Sequence, residues 1–223
     1  ARIRIPESYK MGNTYSILVF GLKAEDFEYA YQMDGPADQA RGLLFNRKHT
    51  LLDPYAKAVT GQRNWGEKPE GGKDFVYKAR VVQSDFDWGR YRNLNYKFED
   101  LVIYEMHVRG FTKDASSGVK GGGTFEGLRQ KIPYLKDLGI NAVELMPIFE
   151  FDEMESARVV DGVQLYNYWG YNTVSFFAPN TSYAFHQEHN HEGDELKRLI
   201  RELKENGIEV ILDVVFNHTA EGN

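Results

Sequence analysis

Two hydrophobic periods divide this chain. Up to about residue 98, short stretches alternate apolar and polar side chains: Ala1-Arg-Ile-Arg-Ile5, then 15–20, 27–32 and 75–82, with turns such as Met33-Asp-Gly-Pro36 between them. Alternation with a period of two predicts half-buried strands, and the spacing suggests a small sandwich. Too few strands can be counted for two complete sheets, so a partial β-sandwich is expected. From Asp100 the pattern changes. Leu101-Val-Ile-Tyr-Glu-Met-His-Val108, Ala142-Val-Glu-Leu-Met146 and Val210-Ile-Leu-Asp-Val-Val215 are near-continuous apolar runs, the signature of strands covered on both faces in a parallel sheet. Between them lie helix-period stretches. One is capped by Thr124, with Leu128, Ile132 and Leu135 at i, i+4, i+7, and should be kinked by Pro133 and closed by Gly139. The other spans 194–203, with Leu196, Leu199, Ile200 and Leu203 on one face. The order β-α-β-α-β predicts parallel pairing with right-handed crossovers. Gly121-Gly-Gly123 lacks the G-x-G-x-x-G spacing and is separated from the first strand by 109–120, so it reads as an approach to the helix cap and not as a dinucleotide cradle.

Composition narrows the function classes. The 223 residues are 42% hydrophobic and carry a net charge of −6, which works against nucleic acid as a partner. No apolar run reaches the ~18 residues of a membrane span, so no membrane partner is expected. Cysteine is absent, which fits a reducing compartment and makes the cytoplasm the default location. The start at Ala1 and the end at Asn223, just past the third strand, lead to the expectation of an internal piece of a longer protein.

Three stretches carry candidate chemistry. The first is Asp213-Val-Val-Phe-Asn217-His218, at the exit of the third apolar strand, where α/β barrels place their reactive groups. The second is Asn167-Tyr-Trp-Gly-Tyr-Asn-Thr173, followed by Phe176-Phe-Ala-Pro179. Aromatic faces suit the C–H faces of a sugar, and the interleaved Asn167 and Asn172 suit its hydroxyls, so this loop reads as a ligand wall. Gly170 permits close backbone approach. The third is Tyr104-Glu-Met-His-Val-Arg-Gly-Phe111, in which His107 and Arg109 fall on one face of the strand by alternation. His186, His189 and His191 with Glu188, Glu192 and Asp194 lack a rigid metal-ligand register and read as a solvated loop. The polar Gly61-to-Gly72 segment reads as a surface loop.

Together, in this order and spacing, these strings resemble isoamylase-type glycogen and starch debranching enzymes of the α-amylase superfamily, over essentially the whole chain. Gly42-Leu-Leu-Phe-Asn46 with Leu51-Leu-Asp-Pro-Tyr-Ala-Lys57 resembles the close of the starch-binding-like β-sandwich that precedes such barrels. The resemblance implies an α/β fold with an all-β N-terminal part. Residues 1–98 would be a partial sandwich with linker, and residues 99–223 the first three β/α units of a (β/α)8 TIM barrel. It implies hydrolysis of α-1,6 branch linkages in glycogen or starch-type α-glucan by a retaining mechanism, with α-glucan as partner. Substrate-binding roles fall to Tyr171, which stacks on the glucose ring beside the scissile bond, to His218 on the 6-hydroxyl side, and to Trp169. Asp213, matched to the acid that holds an active-site arginine, and Asn217 support the site. Asn217 stands where many amylases have a calcium-binding asparagine, but a loop-fixing amide is the reading adopted, so no metal and no cofactor is expected. In the family, the nucleophile, the general acid and a third acid follow barrel strands four, five and seven. None of those positions falls in this sequence, so no catalytic residue is assigned and this segment is expected to be inactive alone. Glu105, Glu144, Glu150 and Glu221 read as strand-end or surface acids. Pullulanase-type debranching, glycogen branching and a non-catalytic α-glucan-binding protein are the alternatives.

Overall fold

Buried apolar runs with few polar interruptions pair edge to edge when helices cover their faces. In the computed structural model, which describes residues 1–61, 63–67, 75–90, 93–186 and 191–220, three such runs form a parallel sheet. They are Ile103–Met106, Ala142–Leu145 and Glu209–Leu212, with the second in the middle. Tyr104, Met106, Val143 and Leu145 face the helices and share a core with Leu128, Leu135, Leu199 and Leu203. Glu105 and Glu144 stand side by side in the ladder, on the opposite face by alternation. The third strand ends at Leu212, not at Val215 as its apolar pattern predicts. The Asp213 N–H bonds the Leu145 carbonyl at 3.0 Å, and the second strand stops there. Ladder partners, not hydrophobicity, set the end. Among the described residues, the outer edges of the first and third strands pair with no further strand.

The helix expected from Thr124 to Leu138 is two helices, Phe125–Arg129 and Ile132–Leu138. Thr124 Oγ1 caps the first, accepting the Gly127 N–H at 3.2 Å. Pro133 sits in the first turn of the second, where its missing N–H leaves no helical bond unmade. It therefore separates two helices and does not kink one. Gly139 closes the second at φ +82°, the left-handed geometry that glycine adopts without cost. The long helix His191–Glu205 buries Leu196, Leu199 and Leu203 along one face, as its period predicts.

The first 98 residues depart from expectation. Their strands are two residues long. Lys10–Met11 pairs with Thr14–Tyr15, Ala37–Asp38 with Leu43–Leu44, and Ala79–Arg80 lies between Glu28–Tyr29 and Ala58–Val59. Residues 1–5 and 16–20 form no strand, and Ile17, Leu18 and Phe20 are exposed. A period-two pattern yields a stable strand only when a second sheet covers its apolar face, and among the described residues none covers these. This half meets the parallel sheet's half along 84–96, where Lys197 and Arg201 lie over Phe86 and Tyr96 Oη donates to the Gly207 carbonyl, and at two further places. Ala56, Val59 and Ala79 pack with Ala178. Trp65 stacks on Tyr183 (6.4 Å, 10°), meets Phe151, Tyr166 and Tyr168 edge-on, and carries the Arg109 guanidinium 4.5 Å above its ring. The loop read as surface thus contains an anchor; its residues 62 and 68–72 lie outside the described residues. No helix among the described residues is long and apolar enough to cross a membrane.

Candidate active site

The aromatic loop is held at its base by an antiparallel ladder between Phe149–Phe151 and Thr173–Pro179. Gly170, at φ +81°, presses onto Phe151: a Cβ there would lie 2.6 Å from the ring. The asparagine amides secure the loop. Asn167 Nδ2 donates to the Asp152 carbonyl at 3.3 Å, and Asn172 Nδ2 donates to the Glu155 carboxylate. Those side chains, read from sequence as sugar-hydroxyl partners, are spent on the loop itself. Tyr168 stacks on His107 (4.2 Å, 11°), and its carbonyl accepts from His107 Nε2 at 2.7 Å, while Nδ1 accepts the Gly110 N–H at 3.0 Å. His107 caps the short helix Val108–Thr112 that contains Arg109. The shared strand face inferred for these two residues is therefore replaced by a cap and a helix turn. Burial holds His107 below the usual imidazole range, which matches a neutral ring that donates from one nitrogen and accepts at the other.

At the exit of the third strand the predicted residues converge. Tyr171 Oη donates to Asp213 Oδ2 at 2.5 Å. His218 Nε2 bonds the Tyr171 carbonyl at 3.0 Å, and its Nδ1 lies 2.7 Å from Asn217 Oδ1. The Asp213 hydrogen bond, then burial, then the charges of Asp213, Glu105 and Glu144 push the Tyr171 hydroxyl up to about 12. Tyr171 is therefore a neutral donor at any working pH. No arginine bonds Asp213 among the described residues; Tyr171 occupies it instead. Trp169 stands apart. Its indole is 54% exposed and lines a surface groove of about 670 Å³ with Tyr166, Asn167, Arg158, Gln164 and Glu155. The groove's outer wall is the hairpin Arg158–Val160/Val163–Leu165.

Sequence reasoning missed the buried acids Glu150, Glu153, Glu192 and Glu195; Glu192, read as part of a solvated loop, is buried in the first turn of the long helix, which also contains His191 and Asp194. Glu150, read as a surface or strand-end group, is 1% exposed and accepts from the Thr181 N–H at 2.7 Å. Its signal was there: an acid inside Ile148-Phe149-Glu150-Phe151. Burial outweighs the Thr181 bonds and raises its carboxyl to about 8. Glu153, whose Oε1 accepts the Gly66 N–H at 3.0 Å, is raised to about 7 by burial. Glu221 lies outside the described residues. So do Glu188 and His189. Of the remaining cluster, His186 Nδ1 meets the buried Glu195 at 2.9 Å, and no group of His, Cys, Asp or Glu with metal-binding geometry occurs among the described residues.

The raised Glu150 carboxyl makes stability depend on pH. The unfolded side chain loses its proton near 4.5, whereas the folded one holds it to about 8. Its stabilising contribution is therefore complete below the first value and is lost as pH rises through the second. The protein should melt at falling temperature across that window. Glu150→Gln should flatten the slope and melt higher than wild type at pH 8, by roughly 2–4 °C per kcal/mol regained. Parallel slopes for the two proteins in calorimetric scans would show that Glu150 is not the titrating group.

The family model described as alpha amylase, catalytic domain, matches residues 75–223. The chain is 44% identical to Isoamylase 3, chloroplastic, of Oryza sativa subsp. japonica, covering 96% of this chain and 28% of the relative. It is 40% identical to Isoamylase 1, chloroplastic, of Arabidopsis thaliana, covering 98% of this chain and 29% of the relative. Among solved structures it resembles the type I pullulanase of Bacillus subtilis complexed with maltose. The TM-score is 0.62 at 30% identity, covering 80% of this chain and 25% of that one. The chain spans less than a third of the length of these relatives.

Proposed function

Since the chain belongs to the family of α-amylase catalytic domains, we propose that it is part of an isoamylase-type glycoside hydrolase that cleaves α-1,6 branch linkages in glycogen or starch-type α-glucan with retention of configuration. Residues 99–223 are the first three β/α units of its barrel, and residues 1–98 come from a starch-binding-like sandwich completed elsewhere in the longer protein. The observation that carries the reading is the Tyr171–Asp213 bond at the exit of the third parallel strand, with His218 fixed to the Tyr171 backbone. In this reading Asp213 aims the phenol so that its face receives the glucose ring beside the scissile bond. Asn217 orients His218 toward the 6-hydroxyl side, and Trp169 offers a second stacking face in the outer groove. The reaction needs no cofactor. A cytoplasmic site of action belongs to the same reading, from the cysteine-free composition, although the plant relatives are named chloroplastic.

The test is product analysis of the full-length protein on amylopectin and on pullulan. Release of linear chains from amylopectin, with a rise in iodine staining and little attack on pullulan, is the expected outcome. Rapid cleavage of pullulan would favour the pullulanase alternative. New branches without new reducing ends would mean a branching enzyme, and binding of glucan without turnover a non-catalytic protein.

A further inference from the structure

We propose that a recess beside Trp65, lined by Arg63, Arg109, Lys113 and the loop at Gly121 and Gly122, binds a phosphate group. The recess measures about 380 Å³, within the range of small-molecule sites. Among the described residues, Arg63, Arg109, Lys113 and the acid Glu67 are the charged groups that line it, in a chain whose net charge is −6. Arg109 and Lys113 are brought together without a counter-ion. Both side chains run past Gly123, where a Cβ would meet Lys113 Cδ at 3.2 Å and Arg109 Cγ at 3.3 Å. Two like charges four residues apart repel, yet among the described residues neither forms an ion pair. The Arg109 guanidinium lies over the Trp65 face, and the carboxylate whose charge it feels is the buried Glu153, with which it forms no ion pair.

The backbone completes the donor set. Gly122 sits so close to the helix ending at Thr112 that a Cβ would lie 2.6 Å from the Thr112 carbonyl oxygen. Among the described residues, the N–H groups of Gly121 and Gly122 donate to nothing. A guanidinium fork, an ammonium and free amides are the groups that hold a tetrahedral oxyanion. A phosphate monoester carries about −1.5 to −2 charges, which the neighbouring Arg109 and Lys113 cations would meet. The volume leaves space beside the phosphate for an attached sugar. Free phosphate and a phosphorylated sugar share this chemistry.

Titration calorimetry of the full-length protein against inorganic phosphate and against glucose 6-phosphate, at constant ionic strength with chloride as control, tests the site. Saturable binding with a dissociation constant below roughly 1 mM is expected, and Lys113→Glu should weaken it by about tenfold or more. Lys113 is exposed and, among the described residues, bonds only through its backbone N–H to the Arg109 carbonyl, so this variant should fold and should cleave unphosphorylated amylopectin as wild type does. The phosphate test thereby stays separate from the glucan test. Tighter binding of glucose 6-phosphate assigns the site to a sugar ester; equal binding assigns it to free phosphate. Absence of saturable heat, or equal affinity in a folded Lys113→Glu, overturns the proposal.

Discussion

Incubated with glycogen, the 223-residue chain by itself should release no reducing ends above a blank. Retaining cleavage requires a carboxylate nucleophile and a carboxylic acid about 5 Å apart across the glycosidic bond. The resemblance places those groups after barrel strands four and five, which this sequence does not contain. The acids whose charge reaches Tyr171 are Asp213, Glu105 and Glu144. Asp213 is engaged by the phenol. Glu105 and Glu144 are ladder neighbours on adjacent parallel strands. They lie within the strands, whereas barrels keep their chemistry at the strand ends and the loops beyond. The difference from a working enzyme is therefore the whole rate enhancement and not a fraction of it. Turnover from contaminant-free protein would contradict this, and its loss in Glu105→Gln or Glu144→Gln would assign the reaction to that pair.

The parallel strands and the long helix were legible because burial writes itself into sequence. Val143 and Leu145 belong to one apolar run, and Leu196, Leu199 and Leu203 share one helix face. The converging trio of Tyr171, Asp213 and His218 was legible only through the family motif. Nothing in spacing alone brings residue 171 to residue 213, since their contact depends on a loop returning over the strand exit. The rest was hidden for local reasons. The end of the third strand depends on where its neighbour stops, which its own apolar run to Val215 does not encode. Trp65 lay in a polar, glycine-rich stretch, so loop composition outvoted the single large aromatic. Its partners Phe151, Tyr166, Tyr168 and Tyr183 lie roughly a hundred residues away. Glu150 was read by its charge, although its flanks Ile148 and Phe151 are fully buried.

In the full-length protein, Tyr171→Ala should lower kcat/KM on branched glucan by roughly 5- to 150-fold, the equivalent of ~1–3 kcal/mol for one aromatic stacking contact. The phenol has two separable parts. Its ring offers the stacking face, and its hydroxyl fixes that face through Asp213. Tyr171→Phe keeps the first and loses the second, so it should fall between Ala and wild type. Since the Tyr171 hydroxyl keeps its proton to about 12, the Phe variant should keep the wild-type pH profile, which separates positioning from proton transfer. Asp213→Asn should resemble Tyr171→Phe in the part of its loss that comes from the ring's orientation. The control is Tyr183→Phe. Tyr183 is fully buried, stacked on Trp65 with its hydroxyl 3.2 Å from His107, so removing that hydroxyl should touch stability and leave kcat/KM near wild type. Ala is not a usable control there, because truncating so large a buried ring costs about 3–5 kcal/mol of folding free energy. A Tyr171→Ala protein that melts like wild type and keeps wild-type kcat/KM would remove Tyr171 from the glucose site, leaving its bond to Asp213 as a loop tether only.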